Sequence, residues 1–152
     1  MIQRVQTIYL LAATSLMFTF LFGTIATFSS VEQIYTMSIF NIKAVDGSTI
    51  LSMPYLVIIT ALSALLPLVN IFLFKKRMVQ IRLCVVEIIF ILGTLIIAGV
   101  YYYLANRTFG VDAESSIRII CALPLVAILF DYLALRAIFR DELLIKSLDR
   151  IR

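Results

Sequence analysis

Asp131 and Glu87 are acids set inside long apolar runs, Asp131 directly after "IICALPLVAILF" and Glu87 within "LCVVEIIFILGT". A carboxyl group in such surroundings has two uses. It can carry a proton or a cation, or it can lock helices together by accepting hydrogen bonds from a neighbour. Asn70, in "LVNIFLF", can donate to either acid. Asp131 and Arg136 stand five residues apart and do not share a helix face, so Asp131 needs a partner from another helix. Arg82, Arg4 and Lys75 are the candidates, because long basic side chains can reach inward along an apolar boundary. The candidate polar cluster is therefore Asn70, Glu87, Asp131 and Arg82.

Other chemistries find no support. The chain has no histidine, so the commonest metal ligand and neutral-pH base is missing. Cys84 and Cys121 form neither a C-x-x-C pair nor a disulfide framework and read as free, packed thiols. G-x-x-x-x-G-K, H-E-x-x-H and the nucleophile elbow are all missing from the sequence. No catalytic, cofactor-binding or metal-binding residue is nominated, and the expectation is a protein that is not an enzyme. A pI near 9.3 raises the question of nucleic acid. The basic residues answer it by flanking apolar segments, where they set membrane orientation instead.

The elements that must hold these residues are helices. Mean hydropathy is +1.07 and only 14% of residues are charged, against about 25% in soluble domains. Four stretches are long enough to cross a bilayer, at residues 8–28, 53–74, 83–104 and 117–138. The first is too long for a signal-peptide core and lacks a clean cleavage site, so it reads as an uncleaved anchor. The expected fold is all-α, a single four-helix transmembrane bundle over residues 1–152.

Ten of the 13 Lys and Arg residues fall at the N-terminus, between spans two and three, or from Arg136 onward; only Lys43, Arg107 and Arg118 lie on the other side. Both termini should then be cytoplasmic. In the external loop at 29–52, "IYTMSIFNIKAV" followed by "VDGS" predicts a small antiparallel hairpin with a two-residue Asp-Gly turn. The second external loop, at 105–116, is short and polar. The tail at 139–152 should continue span four as an amphipathic helix, with Leu144, Leu148 and Ile151 on one face and Arg140, Ser147 and Arg150 opposite.

Each span carries a stripe of small or polar residues, the kind that helices use to associate in lipid. Span three has Gln80, Cys84, Glu87, Ile91, Thr94 and Ala98; span two has Thr60, Ser63, Pro67 and Asn70. Span four has Pro124, Ala127, Asp131 and Ala134; span one has Gln3, Thr7, Thr14 and Ser15. These faces should turn inward. By helical rise, Asn70, Glu87 and Asp131 lie at one level, roughly 5–11 Å from the cytoplasmic boundary. That position favours a polar lock, because a relay across the bilayer would need acids in the outer half, where the spans offer only hydroxyls such as Thr94 and Ser63. Pro67 and Pro124 could kink their helices and free backbone carbonyls.

The cytoplasmic elements together carry a family resemblance. Ile2-Gln3-Arg4, Gln80-Ile81-Arg82-Leu83, Arg136-Ala137-Ile138, Asp141-Glu142 and Asp149-Arg150-Ile151-Arg152 resemble the small four-helix membrane proteins grouped as domain of unknown function 4293, found in Bacteroidota. The resemblance covers essentially the whole chain, implies a bacterial inner-membrane setting, and brings no activity or catalytic residue with it. It draws attention to the cytoplasmic face as a surface for assembly. The candidate partner-binding residues are Arg4, Gln80, Arg136, Asp141, Glu142, Leu144, Leu148, Asp149, Arg150 and Ile151.

The leading functional expectation is an accessory or scaffold subunit of a larger inner-membrane assembly, such as one for protein export, insertion or envelope biogenesis. Its partners would be the lipid bilayer and other integral membrane proteins, with no nucleic acid and no cofactor. The alternative is a small transporter or ion-coupled protein that uses Asp131 and Glu87.

Overall fold

The computed structural model describes residues 3–29, 33–73, 76–109 and 114–149. The side chains of Gln3, Arg4, Ser147, Leu148 and Asp149, and the whole of Lys75, Arg150 and Ile151, lie outside the described residues. Among the described residues there are four α-helices: α1 (Gln3–Leu21), α2 (Pro54–Phe72), α3 (Arg77–Phe109) and α4 (Leu123–Asp149). Five strands accompany them: β1 (Thr24–Ser29), β2 (Ile34–Ser38), β3 (Asn41–Ala44), β4 (Thr49–Ser52) and β5 (Glu114–Ile117).

The first helix stops seven residues earlier than hydropathy predicts, at Leu21. The Gly23 amide closes its end by donating to the Phe20 carbonyl at 3.0 Å. The next residues, Thr24-Ile25-Ala26-Thr27-Phe28, are rich in β-branched side chains and enter a sheet instead. The sheet is antiparallel, in the order β4-β3-β2-β1-β5. It is larger than the single hairpin that the sequence suggests. The run "IYTMSIFNIKAV" is broken at Ser38–Asn41, where Ser38 Oγ donates to the Asn41 carbonyl at 2.9 Å. β5 comes from the connection between α3 and α4 and pairs with β1, Ala26 opposite Ile117 and Phe28 opposite Ser115.

The β3–β4 turn also differs in detail from the expected two-residue loop. The Gly47 amide donates to the Ala44 carbonyl at 3.0 Å and the Ala44 amide donates to the Ser48 carbonyl at 3.1 Å. Val45, Asp46 and Gly47 therefore make a three-residue loop, with Gly47 at φ 79° in the left-handed position that such loops require.

The helices form a closed ring in which α1 packs on α2 and α4, and α3 packs on α2 and α4. Pro54 opens α2 in its first turn, as expected. Pro124 is likewise in the first turn of α4, where its missing N–H leaves no gap; it does not kink the helix from within. Pro67 is inside α2, which runs through it.

The buried face of α3 is Gln80, Cys84, Glu87, Ile91, Thr94 and Ala98, and that of α2 includes Thr60, Ser63, Pro67 and Asn70. Pro124, Ala127, Asp131 and Ala134 are buried on α4. These three stripes agree with the sequence. Among the described side chains of the expected α1 stripe, Thr14 is buried while Thr7 and Ser15 are exposed, and Gln6, Leu10, Ala13, Met17 and Phe20 face inward. Ser15 satisfies its hydroxyl by donating to the Leu11 carbonyl of its own helix at 2.9 Å, so it has no need of the core.

The outer faces are apolar as well. Ile8, Tyr55, Ile58, Phe72, Ile89, Ile96, Leu125 and Leu129 are all well exposed. α2, α3 and the stretch Ile119–Leu144 are each long and apolar enough to cross a membrane, while the apolar part of α1 is the shorter Val5–Leu21.

Candidate functional site, a polar layer in the bundle core

The interior divides into two apolar layers. Nearer the sheet, Met17, Phe20, Ile25, Phe28, Met53, Leu56, Ile91 and Ala127 pack together. At the far end, Leu10, Cys84, Ala134 and Ile138 form a smaller cluster. Glu87 falls between Cys84 and Ile91 on α3, and Asp131 between Ala127 and Ala134 on α4. The two acids therefore sit in the gap between the layers, and both are fully buried. Helical spacing puts them there, because residues three and four apart share one face.

Glu87 and Asp131 lie close enough for the charge of one to act on the other, and Cys84 is within reach of both. The Asn70 amide, from α2, lies beside Glu87 without meeting hydrogen-bond geometry. Its Nδ2 is used elsewhere, donating to Cys84 Sγ at 3.1 Å and to the Gln80 carbonyl at 3.4 Å. Gln80 Nε2 returns the contact by donating to the Asn70 carbonyl at 3.0 Å. α2 and α3 are thus clasped through two amide side chains, each on the other residue's backbone.

The acids receive no such help. Among the described residues, Asn70 Oδ1, both oxygens of Glu87 and both oxygens of Asp131 are buried without a hydrogen-bond donor. Neighbouring hydroxyls do not supply one. Thr60 donates to Leu56, Ser63 to Thr60, and Thr94 to Phe90, all on backbone carbonyls of their own helices.

Arg82 does not join the cluster. It is exposed, five positions before Glu87, which turns it about 140° away around α3. The expectation that Arg82 pairs with Asp131 is therefore corrected. Arg4 and Lys75, the other candidates, lie outside the described residues.

A second polar contact ties the helices together below the far apolar layer. Gln6 Nε2 donates to Asp141 Oδ2 at 2.6 Å, joining α1 to α4, and Arg77 Nη1 donates to the Asp141 carbonyl at 3.5 Å. Two residues expected on a partner-binding surface are consequently internal: Gln80 and Asp141 are buried. Of the others, Arg136 and Leu144 are exposed and Glu142 is half-buried. Sequence reasoning missed Gln6 altogether. Its signal was its place four residues before Leu10 and seven before Ala13, on the face that bulky apolar residues mark.

This architecture can be set against known proteins. Residues 2–151 match the family described as Domain of unknown function (DUF4293). The chain belongs to that family. The match agrees with the resemblance carried by its terminal and loop motifs. No curated protein matches the chain. The layer of five donor-less oxygens is thus the feature of this family member that asks for a chemical explanation. Hard oxygen ligands in a buried site suit a proton or a small hard cation.

Proposed function

We propose that this chain is a four-span, non-enzymatic protein of a bacterial inner membrane, ion-coupled through a proton or small cation held by Glu87 and Asp131. The observation that carries the reading is the set of five buried oxygens without a donor. A polar lock works by pairing acceptors with donors. Two acids that find neither donor nor counter-charge among the described residues lock nothing there, and burying such a charge alone costs several kcal/mol. A bound proton or cation supplies what the protein does not.

The membrane setting rests on long helices whose outward faces are apolar. α1 completes the ring between α2 and α4, and its 19 residues extend about 28 Å, close to the thickness of a hydrocarbon core. The excess of Lys and Arg at the end away from the sheet supports cytoplasmic termini.

The test is ion flux in proteoliposomes under an imposed pH or Na⁺ gradient. Wild type is expected to dissipate a gradient, and Glu87→Gln and Asp131→Asn to abolish this while remaining folded. Wild-type flux no greater than that of empty vesicles would overturn the reading.

One observation favours a second reading, an accessory subunit of a larger assembly. α4 continues as helix to Asp149, eight residues past Asp141, which accepts from Gln6 of α1. A helical extension of that length suits docking to another membrane protein. Truncation after Leu144 preserves the Gln6–Asp141 contact, so partners lost on that truncation, with the bundle intact, would support this reading.

A further inference from the structure

A groove of about 860 Å³ runs between α1 and α4 at the end away from the sheet. Val5, Tyr9, Leu133 and Leu144 give it apolar walls, and Arg136 and Arg140 stand at its rim. The two arginines are four residues apart on α4, so their guanidinium groups share one face, and both are exposed. No described residue forms a hydrogen bond or ion pair with either. The acid that also lines the groove, Asp141, is buried and accepts from Gln6, which leaves the rim with net positive charge.

We infer that this groove binds one anionic phospholipid, its phosphate between Arg136 and Arg140 and the upper part of an acyl chain against Tyr9 and Leu133, on the membrane side of the arginines. The inference rests on the membrane-spanning reading but not on the ion chemistry of Glu87 and Asp131. Charge complementarity selects the occupant. Guanidinium groups match phosphate oxygens with paired, directional hydrogen bonds, and two at i, i+4 present donors from both sides. The apolar walls suit a chain attached to that phosphate, and the volume is within the roughly 300–1,000 Å³ typical of small-molecule sites. Tyr9, half-buried with its ring 6.3 Å from that of Phe130, adds an aromatic wall on the membrane side of the arginines. Basic pockets between helices on the cytoplasmic side are a recognised way to hold acidic headgroups.

The experiment is native mass spectrometry of the intact chain, delipidated in mild detergent and titrated with phosphatidylglycerol, phosphatidylethanolamine or inorganic phosphate. Wild type is expected to retain phosphatidylglycerol at least fivefold better than phosphatidylethanolamine, and to show no adduct with inorganic phosphate alone. Arg136→Gln with Arg140→Gln should remove the preference, while Arg107→Gln, at the opposite end, should keep it. Equal retention of both lipids by wild type would overturn the inference whatever the variants do. Phosphate binding as tight as lipid binding would overturn it too, as would a second polypeptide at one-to-one stoichiometry in place of lipid. Fractionation separates the two claims: a chain that leaves the membrane in alkaline carbonate refutes the membrane reading, whereas one that stays but shows no lipid preference refutes only the groove.

Discussion

Asn70 and Gln80 bind each other's backbone across the junction of α2 and α3, Gln80 Nε2 to the Asn70 carbonyl at 3.0 Å and Asn70 Nδ2 to the Gln80 carbonyl at 3.4 Å. The Asn70 carbonyl also accepts from the Leu73 amide at 3.1 Å, so Gln80 reinforces the carbonyl that ends α2. Gln80→Ala removes one buried hydrogen bond and should cost about 1 kcal/mol. Gln80→Glu replaces the donor with an acceptor facing that carbonyl and should cost more. Thermal unfolding in mild detergent, read by loss of helical circular dichroism, should rank wild type above Gln80→Ala and Gln80→Ala above Gln80→Glu. The same midpoint for all three would mean that the clasp contributes nothing.

The Gln6–Asp141 contact should behave as a coupled pair. Its partners are 135 positions apart in sequence and join the first helix to the last. Hydrogen bonds to a charged group contribute about 1.5–3 kcal/mol. Asp141→Asn keeps an oxygen for Gln6 and should be mild. Asp141→Leu leaves the Gln6 amide stranded and should be severe. In a double-mutant cycle with Gln6→Leu, the coupling energy should exceed about 1 kcal/mol. Strict additivity would show that the contact is incidental.

How far the sequence could be read depends on what holds each helix in place. On α2, α3 and α4 the inward faces are marked by residues that have no good place outside, such as Asn70, Glu87 and Asp131, and helical spacing located them. On α1 the markers were Thr7, Thr14 and Ser15, whose hydroxyls can be satisfied by their own helix and so say little about direction. The end of α1 was overrun because Thr24–Phe28 is apolar enough to continue a span. Only the pairing with β2 and β5 makes it a strand, and that is long-range information. β5 itself, "ESSI", has no alternating pattern to announce it. Of the polar layer, Asn70, Glu87 and Asp131 were legible as buried neighbours, Arg82 was wrongly counted among them, and the layer's chemistry was not legible. Whether the acids had donors depended on which way Arg82, Asn70 and the hydroxyls turned.

Removing a charge from that layer should not weaken the fold. Asp131→Asn keeps the shape and brings two N–H donors to a place where five oxygens have none. It should therefore raise stability, by about 1 kcal/mol for a single hydrogen bond gained. Glu87→Gln should do the same from the other side. The same substitutions abolish ion coupling, so stability and flux should move in opposite directions. A marked fall in the unfolding midpoint of Asp131→Asn at neutral pH would show that the carboxyl has a specific structural role that the amide cannot fill.

Glycines at the helix boundary give a sharper test of packing. A Cβ placed on Gly23 would stand 2.7 Å from Ile120 Cγ2 and 3.2 Å from the Thr19 carbonyl oxygen. Neither can withdraw easily. The Thr19 oxygen is backbone, and Cγ2 is fixed directly to the branched Cβ of Ile120, a side chain that is stiff about its first torsion. Gly23→Ala should then cost about 1–3 kcal/mol, as overpacking does. It should also separate the end of α1 from the turn that starts α4. Gly93 offers the contrast. There the close atom is Ile59 Cδ1 at 2.9 Å, the far end of a flexible side chain, which can rotate aside. Gly93→Ala should be nearly neutral, because alanine also favours the helix by up to about 1 kcal/mol over glycine. Unfolding midpoints of the two variants, measured side by side, should differ by several degrees with Gly23→Ala the lower. The reverse order would mean that α1 and the Ile119–Ala122 turn are not in the close contact described.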